Sequence, residues 1–425
     1  MSSDQDKRKG AMPVLSSRDG YIDYLGEVSD GLRPDGGRRA NLVKSYIVET
    51  AREHRGFTGA PDALAAGLPG TAQRVGDSTM FLLQDAEGDV LAVVDGAESR
   101  FPVVHSTIAV EQADRVVRSA VMGSPHLDHV WLPGRFFDGL WDWTRETAAP
   151  GRIAKLVFDF HGRFEQSDDS WDRGPDGQEV DGYGEVDEDL QEAGGYDEVD
   201  EDLPDRETRR SHFAVEDRVD VLERKLQTIR NAYDPLQSTV RMRIPSGGRG
   251  GHEVYNDGKI TNRSASFTEQ LKVVELVTGV YRSVTEGVED RLWYSTADEH
   301  GAARLAGSPV LLEFPEPIEL EVLHRWADLT FGGRRNWFRL GGEPMWSGKD
   351  RTRLHVYGVD RHLWQPITLE ATRNYFLLLL PEGTCGNTVN RLVTRVQGSL
   401  CPTVRTWLGD RQYEEVLASA APLSA

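Results

Sequence analysis

The sequence predicts an α+β protein: two lobes of mixed helix and strand with largely antiparallel sheets, joined by an acidic disordered linker. Three observations carry that prediction. Short apolar runs bounded by turn residues are interspersed with helical stripes both before and after residue 200. Hydrophobic residues make up 38% of the 425, which is ample material for a core. The formal charge of −20 is unevenly distributed. Residues 165–210 hold 19 acids and 4 bases, residues 1–164 hold 23 and 19, and residues 211–425 hold 27 and 26. Two nearly neutral bodies therefore flank one strongly anionic stretch. The boundaries that follow are a mobile arm over 1–37, a lobe over 38–164, the linker over 165–210 and a lobe over 211–425.

The arm is rich in Ser, Asp, Gly, Arg and Lys, with little apolar periodicity. Leu42, Val43, Tyr46, Ile47 and Ala51 predict a helix over 40–54. The apolar runs Thr79–Gln84 and Val90–Val94 flank Asp85-Ala86-Glu87-Gly88, the pattern of a hairpin with a four-residue loop. A strand over Pro102–His105, a helix over Val110–Val121 and a helix carrying Phe136, Phe137, Leu140 and Trp141 follow. Arg152–His161 alternates, with Ala154, Leu156, Phe158 and Phe160 on one face.

The acidic stretch contains a near-repeat. Gly182-Tyr183-Gly184-Glu185-Val186-Asp187-Glu188-Asp189-Leu190 recurs as Gly195-Tyr196-Asp197-Glu198-Val199-Asp200-Glu201-Asp202-Leu203. Two polar copies cannot stack into a solenoid, and self-repulsion favours an extended linker.

Val215, Val219, Leu222, Leu226, Ile229 and Tyr233 form an a/d seam, predicting a helix over 213–233 that Pro235 stops. Strands over 239–244 and 253–261 come next. A Ser266-x-x-Glu269 capping box then opens a helix running to Val284. A strand over 310–314, a helix over 320–329 and strands over 354–359, 367–371 and 375–380 lead to a last helix with the stripe Val389, Leu392, Val393 and Val396.

No run of about 18 apolar residues is present, so no membrane span is expected. Met1–Gly10 has no apolar core of a secretory signal. Two cysteines, Cys385 and Cys401, are too few for a disulfide scaffold. A cytoplasmic location is the expectation, and 41 Arg against 8 Lys fits a GC-rich prokaryotic genome.

No catalytic motif is complete and no cofactor is expected. The leading reading is a non-catalytic binding or scaffold subunit of a larger assembly, with protein partners and homo-oligomerisation through helix 213–233. Val215, Val219, Leu222, Leu226 and Ile229 would supply that contact, although docking on the helix's own lobe is favoured over pairing. A second reading is single-stranded DNA or RNA binding. Residues 331–410 hold 11 bases and 6 acids. Arg334, Arg335, Arg339, Arg351, Arg353 and Arg361 there interleave with Trp337, Phe338, Trp346, Tyr357 and Trp364, so cations could follow phosphates while rings stack on bases. Arg249, in the loop Gly247-Gly248-Arg249-Gly250-Gly251, adds a cation, and the acidic linker would act as internal competitor.

A third reading is a metal-dependent hydrolase. Asp159 and His161 share a strand face as ligands two apart would, and Asp128, between His126 and His129, would serve as base. Finally, the loop Pro381–Thr388 feeds a helix N-terminus. It lacks the lysine of a phosphate-binding loop. Capping by Asn387 or Thr388 and a structural role for Cys385 are the favoured readings there, against a thiol whose pKa the helix terminus depresses.

Overall fold

The computed structural model describes residues 12–31, 42–50, 63–64, 71–161, 210–232, 238–299, 302–331 and 339–420. The fold is α+β, with two largely antiparallel sheets. The linker expected over 165–210 and the internal repeats fall outside the described residues, apart from Arg210.

The arm expected over 1–37 instead contains helix α1 (Arg18–Asp30), opened by Ser17, whose hydroxyl accepts from the Gly20 amide at 3.1 Å. Tyr21 and Leu25 are buried one turn apart, so a short apolar stripe suffices once a partner covers it. The helix expected over 40–54 is likewise corrected. Lys44–Thr50 is strand β1, and all seven residues are buried. A strand covered on both faces loses its polar alternation, so its apolar residues mimic helical spacing.

Strand β2 (Thr71–Arg74) stands where the sequence suggests loop. Strands β3 (Met80–Gln84), β4 (Val90–Asp95) and β5 (Val103–Ser106) follow expectation and precede helix α2 (Val110–Gly123). In the β3–β4 turn the Asp85 carboxylate accepts from the Glu87 and Asp89 amides, at 3.1 and 2.8 Å. Strand β6 (Leu127–His129), helix α3 (Gly134–Thr147) and strand β7 (Ile153–His161) complete the first half.

The heptad helix is cut in two. Arg210–Arg218 is strand β8, paired with β7 from Ile153↔Arg218 to His161↔Arg210, and helix α4 (Val219–Ala232) starts only afterwards. Strands β9 (Thr239–Pro245), β10 (Gly251–Tyr255) and β11 (Lys259–Asn262) then return to the same sheet. Its order is β2-β3-β4-β5-β1-β11-β10-β9-β7-β8, with β6 paired to β1. The sheets therefore divide after residue 262 and not at 211, because strands from both sides of the acidic stretch complete one sheet.

Helix α5 (Phe267–Leu292) spans 26 residues, about 39 Å at 1.5 Å per residue. The Ser266 hydroxyl caps it by accepting from the Glu269 amide at 3.1 Å. The reciprocal arm of the capping box is replaced: Glu269 accepts from the Gly247 amide. Strands β12 (Trp293–Glu299), β13 (Ala302–Ala306) and β14 (Val310–Glu313) and helix α6 (Leu320–Phe331) follow. Next come strands β15 (Leu340–Ser347), β16 (Arg353–Asp360), β17 (Gln365–Thr372) and β18 (Tyr375–Pro381). Helix α7 (Asn387–Ser399), strands β19 (Arg405–Leu408) and β20 (Arg411–Gln412) and helix α8 (Tyr413–Ala420) close the chain.

The second sheet runs β15-β16-β17-β18-β14-β19-β20, and the β12–β13 hairpin joins it through a short parallel pairing of β12 with β18. One apolar cluster unites both sheets. It includes Ile47, Leu156, Met242 and Val254 from the first, Leu354, Ile367 and Leu378 from the second, and Val277 and Val393 from α5 and α7. No helix among the described residues is long and apolar enough to cross a membrane.

Candidate functional site

The buried face of α7 carries the densest set of polar side chains between the two sheets. Strand β18 ends in a turn over 382–386, in which the Thr384 amide and hydroxyl both donate to the Pro381 carbonyl. A Cβ on Gly386 would lie 2.4 Å from the Thr285 carbonyl oxygen, so only glycine lets the turn approach α5 this closely. The Gly386 amide donates to Glu289 at 3.0 Å.

From that point two clusters diverge. In the first, Arg100 donates to Glu49 at 3.0 Å and to Glu289 at 3.1 Å, and the Cys385 thiol donates to Glu49 at 2.9 Å. Glu49 and Glu289 share the Arg100 guanidinium. Burial, opposed by Arg100, pushes Glu49 from 4.5 up to about 7. Burial and the neighbouring Glu49 also push the Cys385 thiol well above its ordinary value. The shift runs opposite to the depressed thiol weighed against a structural role, and Cys385 keeps its proton.

In the second cluster charges balance. Arg391, fully buried, ion-pairs with both Asp128 and Asp360. Arg339 reaches Asp128 at 3.5 Å and donates to the carbonyls of Leu127 and Ser124. Asn387 donates to Asp128 at 3.0 Å and accepts from the Tyr281 hydroxyl. Thr388 donates to Asp360 at 2.5 Å. Burial would raise the Asp128 carboxyl, but Arg391 and Arg339 outweigh it and hold it well below the usual range. Burial lowers His362, beside this cluster, to about 4, so its imidazole is neutral. Asn387 and Thr388 therefore do not cap: Gly386 is the N-cap residue, no side chain caps the helix, and both side chains serve the aspartates.

This arrangement ties Glu49 and Asp128, register partners on β1 and β6, to α5, β16 and α7. Asp128 is ion-paired with Arg391 at full burial, which opposes the water-activating role expected of it.

The sequence-predicted residues are placed as follows. Asp159 lies 3.7 Å from His212, its cross-strand neighbour. His161 is on the same strand, but its side chain lies outside the described residues. Among the described residues no three His, Cys, Asp or Glu side chains are placed to hold a metal ion. The aromatic and basic set is dispersed. Arg339 is consumed in the buried cluster. Trp346 packs on His324 of α6, with the Arg351 guanidinium 5.7 Å above its ring. Arg353 and Tyr357 lie on the opposite face of the sheet, while Arg361 and Trp364 sit at the β16–β17 turn. Arg249 belongs to the β9–β10 turn, and Arg334, Arg335, Trp337 and Phe338 lie outside the described residues.

The heptad residues are spent internally. Val219, Leu222 and Leu226 are core, and Val215 packs against it from β8, not from a helix. Ile229 is on α4, with its side chain outside the described residues.

Glu49, Arg100, Glu289, Asp360 and Arg391 escape sequence reasoning, because charged residues scattered over 343 positions leave no local pattern. One signal was available: Asn387, Thr388, Asn390 and Arg391 make the start of α7 polar on every side of an otherwise buried helix.

Residues 239–415 match the family model described as MJECL33-like protein. The chain is 28% identical over 145 residues to the uncharacterized protein MJECL33 of Methanocaldococcus jannaschii, an overlap covering 34% of this chain and 33% of that protein. The chain thus spans about a third of the length of the curated relative it matches. No solved structure matches the chain. The matched span contains Glu289, Arg339, Asp360, Cys385 and Arg391, whereas Glu49, Arg100 and Asp128 precede it.

Proposed function

We propose that this protein is a non-catalytic binding subunit of a larger assembly, and that its contact surface is the β15–β16 end of the second sheet. One observation carries this reading. Of the large hydrophobic side chains left exposed among the described residues, four gather here: Met345 (47%), Tyr357 (68%), Val359 (37%) and Trp364 (65%). Tyr357 and Val359 alternate on one face of β16. Met345, opposite His355, stands on that same face of β15. The face continues inward through Leu379, Leu377, Leu311 and Trp407, all half-buried. Among the described strands β15 is the last of its sheet. No described strand pairs with its outer edge, which is where a partner's strand would add, while the apolar face beside it selects side chains.

The nucleic-acid reading draws less support, since its described aromatic and basic residues are divided between the two faces of the sheet, its end turn and the buried cluster. The hydrolase reading draws less still, since its base is ion-paired.

The test is the native mass of the assembly. Wild-type protein isolated from its host should elute well above 47 kDa. The double variant Met345→Asp, Tyr357→Asp should elute as a monomer with unchanged thermal stability. Wild-type protein eluting as a bare monomer, or a variant that keeps the larger mass, defeats the reading.

A further inference from the structure

Among the described residues, four that are not glycine have a left-handed backbone: Arg339 (φ 54°), Arg351 (53°), Leu363 (65°) and Trp364 (52°). All four flank strands β15, β16 and β17. This conformation costs free energy in a residue with a Cβ, and it persists where the surroundings impose it. At the β16–β17 turn two clamps do so. The Leu363 amide donates to the Pro125 carbonyl at 2.8 Å, and the Leu363 side chain is buried against Cys385. The Gln365 side chain donates to the Gly383 carbonyl at 2.6 Å and accepts from the Cys385 amide at 3.1 Å.

Between the clamps Trp364 is held out into water, and among the described residues its indole has no hydrogen-bond or ring partner. A large aromatic that is both strained and exposed adds little to folding and suits the anchor of an interface. Arg361, exposed in the same turn, pairs with no described side chain. The same chain holds a receptor for this pair. A groove of about 370 Å³ opens between α3, α5 and α8, with Phe136, Leu140, Val280 and Leu417 on its walls. That is the lower end of the ~300–1,000 Å³ range of ligand pockets, which suits one aromatic side chain. Its lining also includes Asp138, Asp142 and Glu414, against Arg135. Arg135 and Arg145 already meet these carboxylates, but at 30%, 59% and 38% exposure each keeps oxygen open to a second donor. No residue of β15, β16, β17 or their turns lines the groove, so a copy does not fill its own.

We propose that the Trp364 turn of one copy seats in the α3–α5–α8 groove of a second copy, with Arg361 against the acidic rim. The inference rests on the reading of the β15–β16 end as a contact surface and names its partner, the protein itself. Turn and groove are different patches of one chain. The contact is therefore heterologous, and each copy offers a turn to one neighbour and a groove to another. Leu363 acts as a positioning residue, since its burial against Cys385 fixes where the indole points.

Sedimentation velocity of the purified full chain, with no other protein present, tests this. The mass of wild type should rise with concentration above that of one chain. Trp364→Gly removes the indole but suits the left-handed turn, and Ala418→Trp fills the groove from an exposed position. Each should weaken association by about tenfold or more, with a thermal midpoint no lower than that of wild type. Mixed in equal amounts, the two variants should form a dimer and nothing larger, because one intact turn then meets one intact groove. Leu363→Gly should weaken association, and Leu363→Met should restore it. A wild type that stays monomeric, or a mixture no larger than its components, overturns the proposal. Wild type that is monomeric when pure but part of a larger particle in its host removes the second copy as occupant and leaves the β15–β16 surface standing.

Discussion

Cys385 donates its thiol proton to Glu49 at 2.9 Å, joining the turn before α7 to a strand laid down 336 residues earlier. The pair is shut from water and stands beside Arg100, which must satisfy Glu289 as well. Its ionisation is therefore coupled to the contact between the sheets.

Glu49 gives a stability that falls with pH. Its carboxyl is raised from 4.5 to about 7 in the folded chain, so the fold holds this proton more tightly than the unfolded chain does. The contribution is complete below about 4.5 and is lost as pH rises through about 7. Comparing urea unfolding at pH 5 and pH 8 for wild type and Glu49→Gln isolates it. Wild type should lose on the order of 1–3 kcal/mol more than the variant across that range. An identical pH dependence in the two proteins would refute the assignment.

Arg391 ion-pairs with both Asp128 and Asp360. Arg391→Met leaves two aspartates with less compensation at full burial and should cost about 3–5 kcal/mol. Arg391→Lys keeps a charge but not the fork, and should recover part of that loss. Denaturant midpoints for the three proteins check the order. A loss below about 1 kcal/mol for the methionine variant would show that the aspartates have other support.

Two glycines of one helix region should respond oppositely. Gly386→Ala drives a methyl to 2.4 Å from the Thr285 carbonyl. Gly398→Ala, inside α7 with open space around its added methyl, meets nothing. The first should destabilise by about 1–3 kcal/mol and the second stabilise by up to about 1 kcal/mol. Thermal melts of both variants decide it, and equal shifts would contradict the close approach.

Leu222 separates docking from pairing. It is fully buried in the core shared by both sheets. Leu222→Ala should therefore cost about 2–5 kcal/mol and leave the sedimentation behaviour unchanged. Dissociation of an oligomer with little loss of stability would restore the seam as a partner surface.

Sequence periodicity revealed elements with one clean face. Helices α2 and α3 and strand β7 each present one apolar side, and each stands where its pattern puts it; α5 starts where its capping box puts it and runs on to Leu292. It failed where both faces or neither were informative. β1 is buried throughout, so its run of apolar residues fits either period. β8 and α4 place Val215 and Val219 four apart on different elements, which a heptad count cannot distinguish from continuous helix. Among the site residues, Cys385 was legible as structural, because an isolated thiol is usually core. Arg391 was not, because its partners Asp128 and Asp360 are brought near by sheet topology alone.

The pairing of β7 with β8 makes the first sheet a joint product of both halves of the polypeptide. Residues 12–161 alone would lack β8 to β11 and expose the edge of β11's neighbour, β1. Residues 210–420 alone would keep Arg391 without Asp128 and Glu289 without Arg100. Neither piece holds a complete first sheet, yet two separate chains beginning and ending within 162–209 hold all its described strands. Such a split protein should reassemble on mixing and travel as one particle until denaturant separates it.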